Sequence, residues 1–88
     1  MSELLYEEAL DIYRSLAESN PEVFMQDVAV TLVSMSVFYL SAVPDKKKSS
    51  ALAEEAVKIL RPFGENVPDL EPYMEIAEQV LQVNRRGG

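Results

Sequence analysis

Pairs of adjacent glutamates are the residues of this chain that come nearest to a catalytic arrangement. Glu7 and Glu8 form one pair, and Glu54 and Glu55 form another. General acid–base catalysis by carboxyl groups needs two of them in one cleft, with pKa values that are pushed apart. Adjacent residues of a helix point about 100° away from each other, so neither pair is expected to share a cleft. We expect these glutamates to lie on a solvated face, and no catalytic residue is predicted.

Residue types that the chain lacks exclude several further kinds of chemistry. It contains no histidine, no cysteine and no tryptophan, which removes thiol nucleophiles, imidazole catalysis and the common zinc ligands. Glu71, Glu75 and Glu78 share one side of a helix, but they lack the oxygen-rich loop that calcium sites use. The chain also has no glycine-rich phosphate loop. We therefore expect neither a metal site nor a cofactor.

Length and composition predict one small soluble domain. The 88 residues are 48% hydrophobic and carry a net charge of −7. This charge disfavours nucleic-acid binding, because phosphate contacts need clustered lysine and arginine. The acidic N-terminal segment lacks the basic start and apolar run of a secretion signal, so a cytoplasmic location is expected. Residues 1–84 are expected to form the domain, and residues 85–88 a disordered tail.

Apolar residues recur at helical spacing in four stretches of the chain. This pattern, together with its capping and proline signals, predicts an all-α fold of antiparallel helical hairpins. The predicted helices span residues 3–19, residues 21–42, a start within 45–50 up to 63, and residues 69–84. Pro62 is expected to kink the last turns of the third helix. The apolar face of the first helix is predicted to consist of Leu5, Ala9, Ile12 and Leu16, widened by Tyr13 and Ala17.

The chain resembles itself when it is shifted along its own sequence. With a shift of 47, residues 7–21 align with residues 54–68, and seven of the fifteen positions are identical. With a shift of 48, apolar residues of the second helix align with apolar residues of the fourth. A unit of about 47 residues that holds two helices is typical of an α-solenoid.

Residues 54–62, Glu-Glu-Ala-Val-Lys-Ile-Leu-Arg-Pro, together with the short loop to Pro68, resemble the second helix of bacterial tetratricopeptide repeats of the longer-period type. Residues 7–21 resemble the same element one repeat earlier. The resemblance implies a solenoid fragment of four helices that serves protein–protein interaction or assembly without catalysis. In this family, ligand peptides lie against the first helix of each hairpin. The resemblance therefore implies a partner-binding surface at Val30, Val33, Val37, Leu40 and Ser41.

The polar side chains that bind acidic peptide tails in some members of this family are missing from those five positions, which implies an apolar partner segment. Residues 28–44 in fact carry no charge at all. As a membrane span this stretch is a little shorter than the ~20 apolar residues required, and it contains one threonine and three serines. It could instead be the central helix of a small bundle, buried nearly all round.

The third interpretation of the uncharged helix is that its neighbours cover one side and another chain covers the other. A few solvent-exposed apolar residues would be enough to drive association, because covering each of them contributes about 1.5–3 kcal/mol to the free energy of binding. The last two interpretations together predict a homodimer or a tight complex with a protein partner. An alternative function is that of a compact acidic four-helix bundle, an inhibitor or antitoxin-like regulator that its charge of −7 steers towards a basic protein.

Overall fold

The computed structural model describes residues 3–63 and 67–86, and this part of the chain is almost entirely helical. The helices are α1 (Glu3–Ser19), α2 (Pro21–Ser41), α3 (Lys46–Phe63) and α4 (Glu71–Arg86), with a 3-10 turn at Pro68–Leu70 before α4. The prediction of an all-α fold with four helices is confirmed. Two residues of the predicted tail, Arg85 and Arg86, belong to the last turn of α4, and Gly87 and Gly88 lie outside the described residues.

A single residue, Asn20, separates α1 from α2. Its backbone angles, φ −145° and ψ 76°, interrupt the helical path. The Asn20 amide donates to the Leu16 carbonyl oxygen at 3.0 Å, and the Asn20 carbonyl accepts from the amide of Phe24 at 3.1 Å. Pro21 begins α2, at a position where its missing N–H group has no helical acceptor to lose. The two helices therefore form a tight antiparallel hairpin.

The ends of α3 are set by an aspartate and a proline. Oδ1 of Asp45 accepts a hydrogen bond from the Lys48 amide at 3.1 Å, which satisfies one of the free amides of the first turn. Pro62 lacks the amide that would continue the hydrogen-bond ladder, and α3 ends one residue later, at Phe63. The effect of Pro62 is therefore confined to the last turn of the helix.

The helix α2 is central to the packing. It packs against α1, α3 and α4, and α3 also packs against α4, whereas α1 and α4 make no extensive contact within the described residues. A closed four-helix bundle would bring the first and last helices together as well. The Cα atoms extend over 37 × 30 × 17 Å, and the shortest of these dimensions accommodates two layers of helices. The arrangement is a flat, open array.

The uncharged helix α2 supplies much of the core but is not enclosed. Its buried residues are Val28, Ala29, Leu32, Val33, Met35, Ser36 and Tyr39. On its other side, Val23 and Val37 remain 53% and 39% exposed. By length and composition, α2 is the one helix of the described residues that could cross a membrane. Its packing against the three other helices is that of a core helix with one open side.

Only part of the apolar face predicted for α1 packs inward. The α1 residues that pack towards the core are Tyr6, Leu10, Tyr13 and Ala17. Three residues of the predicted face are exposed to solvent, namely Leu5 (52%), Ile12 (59%) and Leu16 (40%). The ring centroids of Tyr6 and Phe38 of α2 lie 5.4 Å apart. This aromatic contact turns the tyrosine side of α1 towards α2. Tyr13 and Ala17, which widen the predicted face, therefore pack inward, whereas the other large residues of that face stay outside.

Candidate interaction surfaces

A buried polar seam fixes α3 against α2 and α4. The Ser49 hydroxyl donates to the carbonyl oxygen of Ser36 at 2.8 Å and accepts from Nδ2 of Asn84 at 3.1 Å. The exposed fractions of Ser36, Ser49 and Asn84 are 0%, 0% and 6%. A polar group inside an apolar core that loses its hydrogen bond costs about 1–3 kcal/mol. Packing arrangements that would break these bonds are therefore disfavoured. The seam therefore sets the position of α4 beside α2.

A second polar cluster joins α1, α2 and α3 at one end of the array. The Tyr39 hydroxyl donates to Oε1 of Glu3 at 2.6 Å. Nζ of Lys48 lies 3.6 Å from the same oxygen, 3.8 Å from Oε1 of Glu7 and 4.7 Å from the centroid of the Tyr39 ring. Burial, followed by the hydrogen bond to Glu3, raises the pKa of Tyr39. The hydrogen bond to Tyr39 raises the pKa of Lys48. The cluster fastens the start of α1 to the neighbouring helices.

The open side of α2 is a regular stripe of small side chains. Its positions, spaced alternately by four and three residues, are Val23, Asp27, Val30, Ser34, Val37 and Ser41. The hydroxyl of Ser34 donates to the Val30 carbonyl at 3.1 Å, and that of Ser41 donates to the Val37 carbonyl at 3.0 Å. These serines thus satisfy backbone carbonyls of their own helix. Three of these six positions are valines, and Asp27 is the one charged residue among them.

The structure separates one of the five predicted partner-binding residues from the others. Val37 and Ser41 are exposed, and Val30 and Leu40 are partly buried. Val33 is only 2% exposed and belongs to the core. It lies three residues before Ser36, on the side of α2 that faces α3, so the chain itself already covers it. The predicted surface is therefore reduced to the other four residues.

The helix α4 places an exposed apolar residue beside Leu40, one of these four residues. Val83 of α4 is 51% exposed and, together with Leu40, Pro44 and Asp45, lines a cavity of about 200 Å³ at the end of α2. Ile76, two turns earlier on the same side of α4, is 37% exposed. The cavity joins Leu40 of α2 to Val83 of α4, and these two helices pack together. We group the exposed or partly buried residues of the two helices under the name α2–α4 groove: Val30, Val37, Leu40, Ser41, Ile76 and Val83. The α4 residues had not been predicted, although their spacing of seven marks one helix face.

The outward face of α1 forms a second apolar surface, which we call the α1 stripe and which consists of Leu5, Ala9, Ile12 and Leu16. Arg14, which forms an ion pair with Glu55 of α3 at 2.7 Å, marks the side of α1 that faces α3. Residues two positions apart on a helix point about 200° from each other. Ile12 and Leu16 therefore point away from α3. No position of the stripe is charged.

Three cationic side chains gather between α3 and α4. Lys58, Arg61 and Arg85 line a cavity of about 270 Å³ between α3 and α4, together with Glu54. Among the described residues, no group of three or more acidic side chains is placed to hold a metal ion. The glutamate pairs at 7–8 and 54–55 include residues that bind cations of neighbouring helices, Glu7 through Lys48 and Glu55 through Arg14. Their observed contacts are structural.

Comparisons of the chain with protein-family models, with curated protein sequences and with solved structures find no match. The function must therefore be argued from the surfaces themselves, namely a neutral groove between α2 and α4 and an uncharged stripe on α1.

Proposed function

We propose that this chain is a non-catalytic protein–protein interaction module of the tetratricopeptide type, and that its α2–α4 groove binds an apolar segment of a partner protein. The observation that carries the proposal is the exposure of Val37 and Val83, at 39% and 51%, on two helices that pack side by side. Apolar residues that remain exposed together on rigid elements mark interaction sites. The buried seam at Ser49 supplies the rigidity.

The order of helix contacts supports the repeat character of the module. In stacked helical hairpins, each repeat contacts its neighbours in sequence. The helices α2 and α3 form one hairpin, and α4 packs against both of them, as the first helix of a following hairpin would. The ion pair between Arg14 and Glu55 joins α1 to α3, as expected for two second helices in neighbouring repeats.

The chemistry of the groove favours an apolar partner over an acidic one. Its side chains are aliphatic apart from the hydroxyl of Ser41, which bonds to its own helix. At the end of the groove, Asp45 and Lys46 both line the cavity beside Leu40, and their charges offset each other. A partner carboxylate would find no dedicated cation there, whereas an aliphatic side chain would cover Val37 and Val83.

A peptide selection tests this proposal. Peptides are selected from a random displayed library against the immobilised chain, and their affinities are measured by fluorescence anisotropy. We expect apolar peptides whose affinity falls at least tenfold in Val83→Glu, because covering an unpaired carboxylate with an apolar segment costs more than the roughly 1.4 kcal/mol that corresponds to a factor of ten. The matched control is Ile12→Glu, which places the same charge on a similarly exposed residue outside the groove.

Two outcomes would contradict the proposal that the groove binds an apolar segment. One is that the selected peptides bind Val83→Glu as tightly as the unchanged chain. The other is that they are basic and lose affinity as salt rises from ~0.1 M to ~1 M, where the screening length falls from about 10 Å to 3 Å. The second outcome would favour the acidic-regulator function, which the net charge of −7 also permits.

A further inference from the structure

The α1 stripe corresponds to a helix-packing face elsewhere in the chain. Shifted by 47 residues, its four positions fall on Leu52, Ala56, Ile59 and Phe63 of α3. In α3 all four belong to or pack against the core, and Ala56 is 0% exposed. In α1 the three large side chains of this pattern are exposed to solvent, and Ile12 is 59% exposed. The stripe therefore has the composition of a surface that another helix covers.

The spacing of the stripe indicates which helix that is. Its intervals of four, three and four residues are the same in both directions along the chain. A second α1 running antiparallel would therefore place Leu5 opposite Leu16 and Ala9 opposite Ile12, and the twofold axis would repeat both contacts. An isologous interface requires this kind of self-complementary surface. The small Ala9 leaves space for the larger Ile12 side chain, so the two faces can interdigitate.

We propose that a second copy of this chain covers the α1 stripe, with the two α1 helices packed antiparallel about a twofold axis between Ala9 and Ile12. The surface involved is separate from the α2–α4 groove. The homodimer and the binding of a partner in the groove are therefore independent, and either can fail without the other.

The absence of charge on the stripe favours a second copy as the occupant, and the area of the stripe indicates a weak dimer. The chain carries a net charge of −7, yet no acidic residue occupies the stripe. Two copies can therefore bring their stripes together while their acidic side chains stay at the flanks, in solvent. Leu5, Ile12 and Leu16 are about half exposed on each copy. Doubled by symmetry, this patch stays below the ~1,200 Å² of standard interfaces, in the range of weak and reversible associations.

Sedimentation equilibrium over about 1–100 µM tests the dimer directly. We expect the unchanged chain to reach twice its mass of 9.9 kDa, and Ile12→Glu to raise the dissociation constant at least a hundredfold. Val83→Glu, which changes a similarly exposed valine of α4, should leave the dissociation constant within about twofold. Circular dichroism confirms that both variants keep their helical content. A monomeric unchanged chain at the highest concentration, or equal dissociation of both variants, would overturn the proposal.

Introduced cysteines test the antiparallel geometry, since the chain has no cysteine of its own. A mixture of Leu5→Cys and Leu16→Cys proteins should form a mixed disulfide under mild oxidation, because the two positions face each other across the axis. Leu5→Cys alone should form little, because its two copies lie at opposite ends of the interface. Efficient self-crosslinking of Leu5→Cys would indicate parallel helices and overturn the proposed geometry, as would the absence of the mixed disulfide.

Discussion

At the scale of single residues, buried hydrogen bonds decide how the helices fit together. Ser49 contributes more than its place in the sequence suggests, because it stands in a lysine-rich segment that resembles a helix start. Its spacing from Ala53, Ala56 and Leu60 is four, three and four residues, and this was the signal that places it on the buried face. The partners of its hydroxyl, in α2 and α4, could not be identified without the fold.

Removing the Ser49 hydroxyl should destabilise the chain by about 2 kcal/mol. Ser49→Ala leaves the buried Asn84 amide without its acceptor, whereas the Ser36 carbonyl lies inside α2 and keeps its helical donor. One unsatisfied buried group costs about 1–3 kcal/mol. The measurement is urea unfolding followed by circular dichroism. Ser41→Ala is the matched control, because its exposed hydroxyl bonds only to its own helix, and it should change the free energy of unfolding by less than about 0.5 kcal/mol. Equal effects of the two substitutions would refute the importance of the seam.

The cluster around Tyr39 should make the fold sensitive to alkaline pH. The folded chain raises the pKa of Tyr39 above 10.0 and that of Lys48 above 10.5, so both groups hold their protons more tightly when folded. Stability from these shifts is present below the unfolded pKa values and is lost as pH rises through the folded ones. Thermal unfolding should therefore show a lower midpoint at pH ~11 than at pH ~9.

The variant Tyr39→Phe should show a smaller loss between these two pH values, because it removes the tyrosine part of the linkage. Tyr73→Phe changes a partly buried tyrosine of α4 outside the cluster and should keep the loss of the unchanged chain. If Tyr39→Phe and Tyr73→Phe lose the same stability between these two pH values, the alkaline sensitivity does not come from Tyr39.

At the scale of elements, α1 shows why a correctly predicted helix can be assigned an inward face that is only partly right. Its bounds agree with the predicted residues 3–19. Its apolar residues, however, form two neighbouring stripes, and periodicity alone cannot tell which one packs against the next helix. Tertiary contacts decide which stripe packs inward. The main ones are the aromatic contact of Tyr6 with Phe38 and the ion pair of Arg14 with Glu55 of α3. The α1 stripe can therefore be recognised as exposed only when the packing of α1 against α2 is known.

The start of α3 depends on the cap at Asp45. Asp45→Ala should lower the free energy of unfolding by about 1 kcal/mol, because the first turn loses the acceptor of the Lys48 amide. Asp45→Ser, which keeps a capping oxygen, should recover most of this loss in the same urea titration. If the serine variant is as unstable as the alanine variant, the side chain contributes by something other than capping.

At the scale of the whole molecule, helix number and order could be predicted from the sequence, but the openness of the array could not. The uncharged α2 indicated a central helix, and its neighbours do cover the side that carries Leu32 and Ser36. Whether α1 also reaches α4 depends on crossing geometry, which hydrophobic spacing does not encode. The same limit applies to the partner-binding surface, since Val33 could be separated from Val37 only after α3 had been placed.

The one-residue joint at Asn20 restricts how two copies of this chain can associate. Exchange of α1 between copies would require α1 and α2 to straighten into a single rod through Pro21. The proline ring would clash with the preceding turn, at a cost of about 3 kcal/mol. Helix swapping is therefore disfavoured, and subunits that meet through α1 touch only at their surfaces. They can separate and find new partners without unfolding.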